Sequence, residues 1–210
     1  MKIYKKQILK KKLEKFKIII FDLDNTIYNE KNFIYPSLKN VSKFLKTKIN
    51  LDENEIQKKL LILKNRNKKI FDKFLSKFSA KKINLKLLVK RTINEYQSYN
   101  CNNLKKVSSL KNILKFFYKK KTLFLVTNGN RLRQKNKIKN IGINKFFKKI
   151  YILDNNYDYI KPSTKSVNSL KKFIREFGFK NAVYVGDNKI TDKAFAKNLR
   201  ISFINFYFKE

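Results

Sequence analysis

The side chains that this sequence lacks limit its chemistry before any motif is considered. Among its 210 residues there is no histidine and a single cysteine, Cys101. The absence of histidine excludes nucleophile–histidine pairs and every acid–base scheme that depends on imidazole. A single cysteine forms no intramolecular disulfide and cannot build a zinc site from Cys and His ligands. Any catalysis must therefore use carboxylates, lysine, tyrosine or hydroxyl groups, or a hard metal ion bound by oxygen.

Glycine, proline and long apolar runs are also scarce. The chain has 4 Gly and 2 Pro, and no apolar run approaches the roughly 20 residues that a membrane-spanning helix needs. The apolar stretch Ile18–Phe21, which follows a basic N-terminal segment, stops at Asp22. It is too short for the core of a signal peptide. We therefore expect a cytoplasmic protein that does not associate with membranes.

Positive charge is the most conspicuous feature of the composition. Lys and Arg total 52 against 15 Asp and Glu, a formal net charge of +37. Such a charge favours binding to the phosphate backbone of nucleic acids. Nucleic-acid sites, however, usually depend on arginine, and 46 of these 52 residues are lysine. The lysines are spread over the whole chain together with Asn, Ile, Phe and Tyr, all of which have A/T-rich codons. We attribute the charge mainly to codon bias, and expect it to attract anionic substrates rather than nucleic acid.

The pattern of apolar segments predicts an α/β fold. Short runs rich in β-branched residues indicate buried strands at 17–21, 122–126, 149–153, 182–185 and 201–206. Helical patterns at 131–140, 163–177 and 191–198 separate the last four strands, and Gly142 and Gly178 follow two of them, where a C-cap is expected. Strands that alternate with helices predict a parallel sheet covered on both faces.

A long helical insert separates the first two predicted strands. Apolar residues at helical spacing predict helices at 37–48, 53–65, 70–78 and 85–99. We therefore expect a catalytic core formed by residues 1–30 and 104–210, and a helical cap domain formed by residues 31–103.

Polar residues follow each of the first four predicted strands. Because ligand sites of parallel sheets lie at the carboxyl ends of the strands, we expect these residues to converge on one site. Each of them alone is common as a turn residue or helix cap, so the prediction depends on their order and shared position. The candidate residues are Asp22, Asp24, Thr127, Asn128, Lys161, Asp187 and Asp192.

This order resembles the haloacid dehalogenase (HAD) superfamily of hydrolases over the whole chain. The family's four motifs match the segment FDLDNT at 21–26, Thr127, Lys161, and the segment GDNKITD at 186–192. An insert between the first two motifs is similar to subfamily I, whose helical-cap members include phosphoglycolate phosphatase-like and pyrimidine 5'-nucleotidase-like enzymes. The resemblance implies a HAD-like Rossmannoid core with a parallel sheet and an inserted α-helical cap domain.

The resemblance also implies a role for each candidate residue. Asp22 would be the nucleophile that forms an aspartyl-phosphate, and Asp24 the general acid and then the general base. A raised pKa is expected for Asp24, because the carboxylates of Asp22 and Asp24 would lie so near each other that both do not easily stay charged. Thr127, Asn128 and Lys161 would bind the phosphoryl group, and Lys161 would also neutralise charge during catalysis. Mg²⁺ would be held by Asp22, the backbone carbonyl of Asp24, Asp187 and Asp192.

We expect a Mg²⁺-dependent phosphatase that hydrolyses a small phosphorylated metabolite, such as a nucleotide monophosphate or a sugar phosphate, as a monomer or homodimer. The superfamily's dehalogenases lack the second aspartate of the first motif, so Asp24 favours phosphate chemistry. Two alternatives stay open. A phosphomutase keeps both aspartates, and a catalytically silent HAD-fold protein would bind nucleic acid or another polyanion through its basic surface.

Overall fold

A computed structural model describes residues 2–66, 69–78, 84–102, 104 and 109–208. The chain divides into two compact units, Met1–Glu30 with Asn103–Glu210, and Lys31–Asn102. Within the described ranges, no helix is long and apolar enough to cross a membrane. In chain order the elements are α1 (Lys2–Leu13), β1 (Ile18–Phe21), α2 (Lys31–Lys46), α3 (Glu53–Arg66), α4 (Ile70–Leu75), α5 (Leu85–Ser98), α6 (Lys111–Phe117), β2 (Thr122–Asn128), α7 (Arg131–Ile141), β3 (Lys149–Leu153), α8 (Asn168–Phe177), β4 (Ala182–Gly186), α9 (Thr191–Asn198) and β5 (Ser202–Asn205).

The first unit is built on a five-stranded sheet in which every pairing is parallel. The strand order is β3-β2-β1-β4-β5, so β1 is central. All four residues of β1 are buried, as expected of an inner parallel strand covered on both faces. Phe21, its last residue, pairs with Leu125 of β2 and Val185 of β4. The residues that follow β1, β2 and β4 therefore emerge side by side at one edge of the sheet.

Helices α8 and α9 cover one face of this sheet. Leu170 and Ile174, one helical turn apart in α8, are fully buried in the same hydrophobic core as Ile18 and Ile20 of β1. Phe195 of α9 packs on Tyr184 of β4, with ring centroids 5.3 Å apart. These contacts give the strands of the site a tightly packed support.

The α/β fold predicted from the sequence is confirmed, and the strand bounds differ only at their ends. Helix α8 begins at Asn168, after a 3₁₀ turn at Lys165–Val167, and so five residues later than its predicted start at 163. Helices α1 and α6 were missed. In α1 six of the twelve residues are lysine, which obscures the inward spacing of Leu9 and Leu13.

The second unit consists of α2 to α5. Its core includes the aromatic rings of Phe33, Phe71 and Tyr96, with centroids 5.6–5.9 Å apart in edge-to-face contacts. Helix α2 begins at Lys31 instead of residue 37, because Pro36 lies inside the helix and does not start it. Proline donates no hydrogen bond to the carbonyl four residues earlier, that of Asn32, and the Cys101 thiol donates to this oxygen at 3.6 Å. That this unit acts as a cap stays a prediction.

Candidate active site

Asp22 lies at the centre of the carboxyl edge of the sheet, directly after β1. Its backbone N–H donates to the carbonyl of Val185 at 2.9 Å, which continues the ladder between β1 and β4 by one residue. The side chain is nearly buried, with 6% of the residue exposed. Its Oδ1 atom accepts a hydrogen bond from Lys161 Nζ at 2.6 Å. A carboxylate is thus fixed where the central strand ends.

Lys161 connects three side chains of the site. Besides Asp22, its ammonium donates to Asp192 Oδ1 at 2.7 Å and to the Tyr184 hydroxyl at 2.8 Å. Burial alone would lower the pKa of Lys161, but the charges of Asp22 and Asp192 outweigh it and raise the pKa well above its ordinary value. The lysine therefore stays charged at the centre of what we call the Lys161 cluster, which consists of Asp22, Lys161, Tyr184, Asp187 and Asp192.

Asn128 fixes the backbone of Lys161. Its Oδ1 atom accepts from Lys161 N at 3.0 Å, and its Nδ2 atom donates to the Lys161 carbonyl at 3.4 Å. Because Asn128 is the last residue of β2, it attaches the loop after β3 to the adjacent strand. The structure thus shows Asn128 as a support for Lys161 in addition to its predicted contact with substrate.

Three carboxylates of the Lys161 cluster form a group that fits a hard cation. Oxygen atoms of Asp22, Asp187 and Asp192 all lie within 4.8 Å of one another. Burial, with repulsion from Asp192, raises the pKa of Asp187 to about 6. Burial also raises the pKa of Asp22 to about 7, opposed by Lys161 and reinforced by Asp192. A set of oxygen donors with this much unfavourable negative charge suits Mg²⁺.

Gly186 makes the close approach of Asp192 possible. A Cβ atom at position 186 would lie only 2.7 Å from Asp192 Cγ and 2.8 Å from its Cβ. Asp192 is further held by the backbone N–H of Asn188, which donates to its Oδ2 atom at 3.1 Å. Glycine at the end of β4 is therefore a packing requirement of the acidic group.

Asp24 points into a second group of side chains. Its Oδ1 atom accepts from Lys137 Nζ at 2.8 Å and the Tyr28 hydroxyl at 2.7 Å. Its Oδ2 atom accepts from Lys137 Nζ at 3.0 Å and Gln134 Nε2 at 2.9 Å. Lys137 also pairs with Glu30 at 3.3 Å. These residues, Asp24, Tyr28, Glu30, Gln134 and Lys137, are called the Asp24 cluster below.

The expected rise in the pKa of Asp24 is wrong. Burial alone would raise it, but the charge of Lys137 and the hydrogen bonds from Lys137, Gln134 and Tyr28 outweigh burial and lower it. The aspartate of the first motif whose pKa is raised is Asp22 instead. The sequence showed two adjacent carboxylates but not the lysine that α7 places beside the second one.

Thr127 and Asn128, the last two residues of β2, contact the Asp24 cluster through Gln134. The Thr127 hydroxyl, which is buried near the end of β2, accepts a hydrogen bond from Gln134 Nε2 at 2.8 Å. The same nitrogen also lies 2.9 Å from Asp24 Oδ2 and 3.0 Å from the Asn128 carbonyl, so its two N–H groups are shared among three acceptors. The structure thus brings all the residues predicted from the sequence to one edge of the sheet, in two groups linked through Gln134 and the end of β2.

A comparison with family models settles the assignment. Residues 19–206 match the model of the haloacid dehalogenase-like hydrolases. The match extends over both units of the chain. The chain belongs to this HAD family of hydrolases. The membership predicted from the four motifs is thereby confirmed, including the hydrolase class. No protein of curated function matches the sequence.

Several solved structures share the HAD fold. YfnB of Bacillus subtilis, assigned as a HAD-hydrolase and bound to magnesium, is 16% identical, with a TM-score of 0.62 over 90% of this chain and 86% of YfnB. A HAD phosphatase from Thermococcus onnurineus is 23% identical, with a TM-score of 0.56 over 90% and 85%. A 2-haloacid dehalogenase from Pseudomonas syringae is 16% identical, with a TM-score of 0.59 over 90% and 86%. At these identities the likeness shows the fold alone.

Sequence reasoning missed five side chains of the two clusters: Tyr28, Glu30, Gln134, Lys137 and Tyr184. The signal for two of them lay in α7, where Gln134, Lys137, Ile138 and Ile141 have the spacing of one inward helical face. The first two residues of that face are polar and the last two are apolar. This order indicates that the helix contacts the site with its first turns and the hydrophobic core with its later turns. Tyr184 was the one hydroxyl in the otherwise aliphatic strand β4, and a buried tyrosine hydroxyl needs a partner.

Proposed function

We propose that this protein is a Mg²⁺-dependent phosphatase that hydrolyses a small phosphate monoester through a covalent intermediate on Asp22. The observation that carries the proposal is the ion pair of 2.6 Å between Asp22 and Lys161, set beside Asp187 and Asp192. A carboxylate needs no histidine to act as a nucleophile, because a neighbouring cation such as the Lys161 ammonium favours its ionised form. The site therefore suits a chain that has no histidine.

In the first half-reaction, Asp22 attacks phosphorus and the bond from phosphorus to the leaving oxygen breaks. A proton from Asp24 neutralises the leaving oxygen, and the product is an aspartyl-phosphate. In the second half-reaction, water attacks phosphorus while Asp24 accepts the water's proton. The bond between phosphorus and Asp22 then breaks, and inorganic phosphate is released with Asp22 restored.

The surroundings of Asp24 suit the second of these roles directly. Lys137, Gln134 and Tyr28 stabilise the ionised carboxylate, which is the form that accepts a proton from water. The acid role requires that Asp24 first take up a proton against this stabilisation. We assign Asp24 to both roles because its side chain is 21% exposed and follows the strand that ends at Asp22. A substrate bound at Asp22 could therefore reach it.

Lys161, Thr127 and Asn128 are proposed to serve the phosphoryl group. The Lys161 ammonium already balances the charge of Asp22, and it is positioned to balance the charge that develops on the phosphoryl oxygens. The Thr127 hydroxyl, with its lone pairs partly used by Gln134, keeps its own proton to donate to a phosphoryl oxygen.

Mg²⁺ fits the three acidic side chains described above. Asp22, Asp187 and Asp192 would hold it with the backbone carbonyl of Asp24, in keeping with the preference of Mg²⁺ for oxygen ligands. When bound, the ion supplies positive charge that offsets the charge of a phosphate next to three carboxylates.

The second unit, Lys31–Asn102, is proposed to act as a cap that selects the substrate and excludes water. The magnesium-bound YfnB structure, which has the same fold, is described as revealing interdomain movement. A nucleotide monophosphate or a sugar phosphate is the proposed substrate, and the protein is proposed to act as a monomer or homodimer. The net charge of +37 favours such anions without selecting among them.

The deciding experiment is phosphate release from p-nitrophenyl phosphate, in Mg²⁺ and in excess chelator. We expect turnover by the wild type only with Mg²⁺, and none by Asp22→Asn. Asp72→Asn, which alters an exposed carboxylate of α4, is the matched control and should keep wild-type activity. A folded wild type that is inactive on this ester and on a panel of nucleotides and sugar phosphates would refute the proposal. Activity that requires a bisphosphate activator would indicate a phosphomutase instead.

A further inference from the structure

We infer that Lys137, with Gln134, is a positioning residue that holds the Asp24 carboxylate for proton transfer to the leaving group and from the attacking water. The inference rests on the proposed function, because it assigns Lys137 a part in that reaction. Its basis is geometric: one ammonium nitrogen contacts both oxygens of Asp24, at 2.8 Å and 3.0 Å.

The burial of Lys137 is exceptional in this chain. The sequence contains 46 lysines, and only Lys137 and Lys161 are buried among those that the structure describes. Lys161 contacts Asp22 and Lys137 contacts Asp24, so each aspartate of the first motif is paired with a buried lysine. Random drift of exposed positions toward lysine does not account for this pairing.

Fold stability is a weak explanation for a lysine in this place. Moving an ammonium group out of water is unfavourable, and an aliphatic side chain of similar volume often stabilises a fold as well or better. Lys137 is fully buried, with Asp24 on one side and Glu30 on the other. The presence of a buried ammonium group at this position is better explained by its contacts with the Asp24 carboxylate.

The hydrogen bonds leave the Asp24 side chain little freedom to rotate. Each oxygen accepts from Lys137, and Gln134 and Tyr28 each donate to one oxygen. Gln134 also holds the Thr127 hydroxyl, so a phosphate-binding group and the proton-transfer group share one support. Proton transfer requires the donor within hydrogen-bond reach of the leaving oxygen, and small displacements reduce the rate strongly.

Helix α7 provides a firm base for this contact. The Asn130 side chain caps the helix by accepting from Arg133 N at 3.1 Å, and the next turns are anchored by buried Ile138 and Ile141. Gln134 and Lys137 lie between the cap and this anchor, at the part of the helix nearest the end of β2. Functional side chains on a packed helix are positioned more accurately than those on a loop.

The test compares leaving groups. A series of aryl phosphates with increasingly basic phenols would be hydrolysed by the wild type, Lys137→Met, Asp24→Asn and the combined variant. Acidic phenols leave without a proton, whereas basic ones depend on the general acid, whose removal typically costs about 10²–10⁴-fold in rate. We therefore expect Lys137→Met to lose at least about tenfold more kcat/KM on the most basic phenol than on the most acidic. Lys135→Met, an exposed change in the same helix, should follow the wild-type trend.

The combined variant separates positioning from a general structural effect. If Lys137 acts through Asp24, adding Lys137→Met to Asp24→Asn changes the leaving-group dependence no further. An equal loss for all esters, no loss, or losses that multiply in the combined variant would overturn the inference while leaving the phosphatase proposal intact. An inactive wild type would overturn both. Should Lys137→Met not fold, Gln134→Met tests the same support without removing a charge, and a smaller loss with the same leaving-group trend is expected.

Discussion

Lys161 and Asp22 form a 2.6 Å ion pair from which almost all water is excluded. Asp192 accepts from the same ammonium at 2.7 Å, so one cation balances two buried carboxylates. Removing one member of a buried ion pair leaves the other member uncompensated, which usually costs several kcal/mol. Here the loss of the lysine would leave negative charge that a bound divalent cation can offset.

Lys161→Met should therefore make the folded protein dependent on Mg²⁺. In chelator we expect the free energy of unfolding to fall by about 3–5 kcal/mol. Mg²⁺ should restore a larger share of stability in this variant than it adds to the wild type. Urea unfolding in chelator and in Mg²⁺ provides the measurement, and the exposed Lys193→Met is the control. Equal effects of Mg²⁺ on variant and wild type would contradict the assignment of this acidic group as the metal site.

Gly186→Ala tests the close approach of Asp192 to the end of β4. The new methyl group would have to lie 2.7 Å from Asp192 Cγ, so the carboxylate must move away. We expect a loss of stability of about 1–3 kcal/mol from overpacking, together with a weaker stabilising effect of Mg²⁺. Val183→Ala is the comparison, because it destabilises β4 through a buried side chain remote from the acidic group. If both variants respond to Mg²⁺ as the wild type does, Gly186 has no part in the metal site.

The strands and the polar residues after them could be predicted because both are local properties of the sequence. Ile18–Phe21 is a short apolar run, and Asp22 and Asp24 follow it directly. Parallel pairing then brings the ends of β1, β2 and β4 together without further information. For the same reason the fold class and the HAD family could be predicted.

The partners of those residues could not be predicted, because they depend on which way a helix faces. Lys137 comes 113 positions after Asp24, and as one lysine among 46 it carried no distinguishing signal. The pKa of Asp24 was consequently assigned the wrong direction. The start of α2 was predicted too late for a related reason, since the thiol that donates to the Asn32 carbonyl, four residues before Pro36, comes from Cys101, far along the chain.

The stability of the metal-free protein should fall as pH rises toward neutrality. Burial and Asp192 raise the pKa of Asp187 to about 6, and burial, partly offset by Lys161, raises that of Asp22 to about 7. An acid whose pKa is raised on folding stabilises the folded state below its unfolded pKa, and this contribution is lost as pH rises through the folded value. The pKa of Asp24 is lowered on folding, so its contribution to stability changes with pH in the opposite direction. That change takes place at more acidic pH.

Mg²⁺ should reverse this loss, because it binds the ionised carboxylates in competition with protons. The increase in melting temperature produced by a fixed Mg²⁺ concentration should therefore be small at pH 5 and grow until about pH 7. Thermal unfolding across this range, in chelator and in Mg²⁺, gives the result directly. An increase that does not depend on pH would mean that Mg²⁺ binds elsewhere than at Asp22 and Asp187.

Tyr184→Phe isolates the contribution of one hydroxyl to the state of Lys161. This hydroxyl accepts from Lys161 Nζ at 2.8 Å and donates to the Val126 carbonyl at 3.1 Å, so it links Lys161 to β2. Its removal leaves a buried carbonyl without that donor, and we expect stability to fall by about 1–3 kcal/mol. Because Lys161 also loses a contact, kcat for phosphate release should fall about tenfold, roughly the effect of 1.4 kcal/mol on a barrier.

Tyr151→Phe is the matched control for this change. Tyr151 is a buried tyrosine in the neighbouring part of the same sheet, and its hydroxyl bonds to Ser169 at 2.8 Å, away from Lys161. It should lose stability by a similar amount and keep its kcat. If the two variants lose activity in equal proportion, the Tyr184 hydroxyl supports only the fold. If Tyr184→Phe alone loses activity, the hydroxyl contributes to holding Lys161 in its working position, and the Lys161 cluster includes a member with no charge of its own.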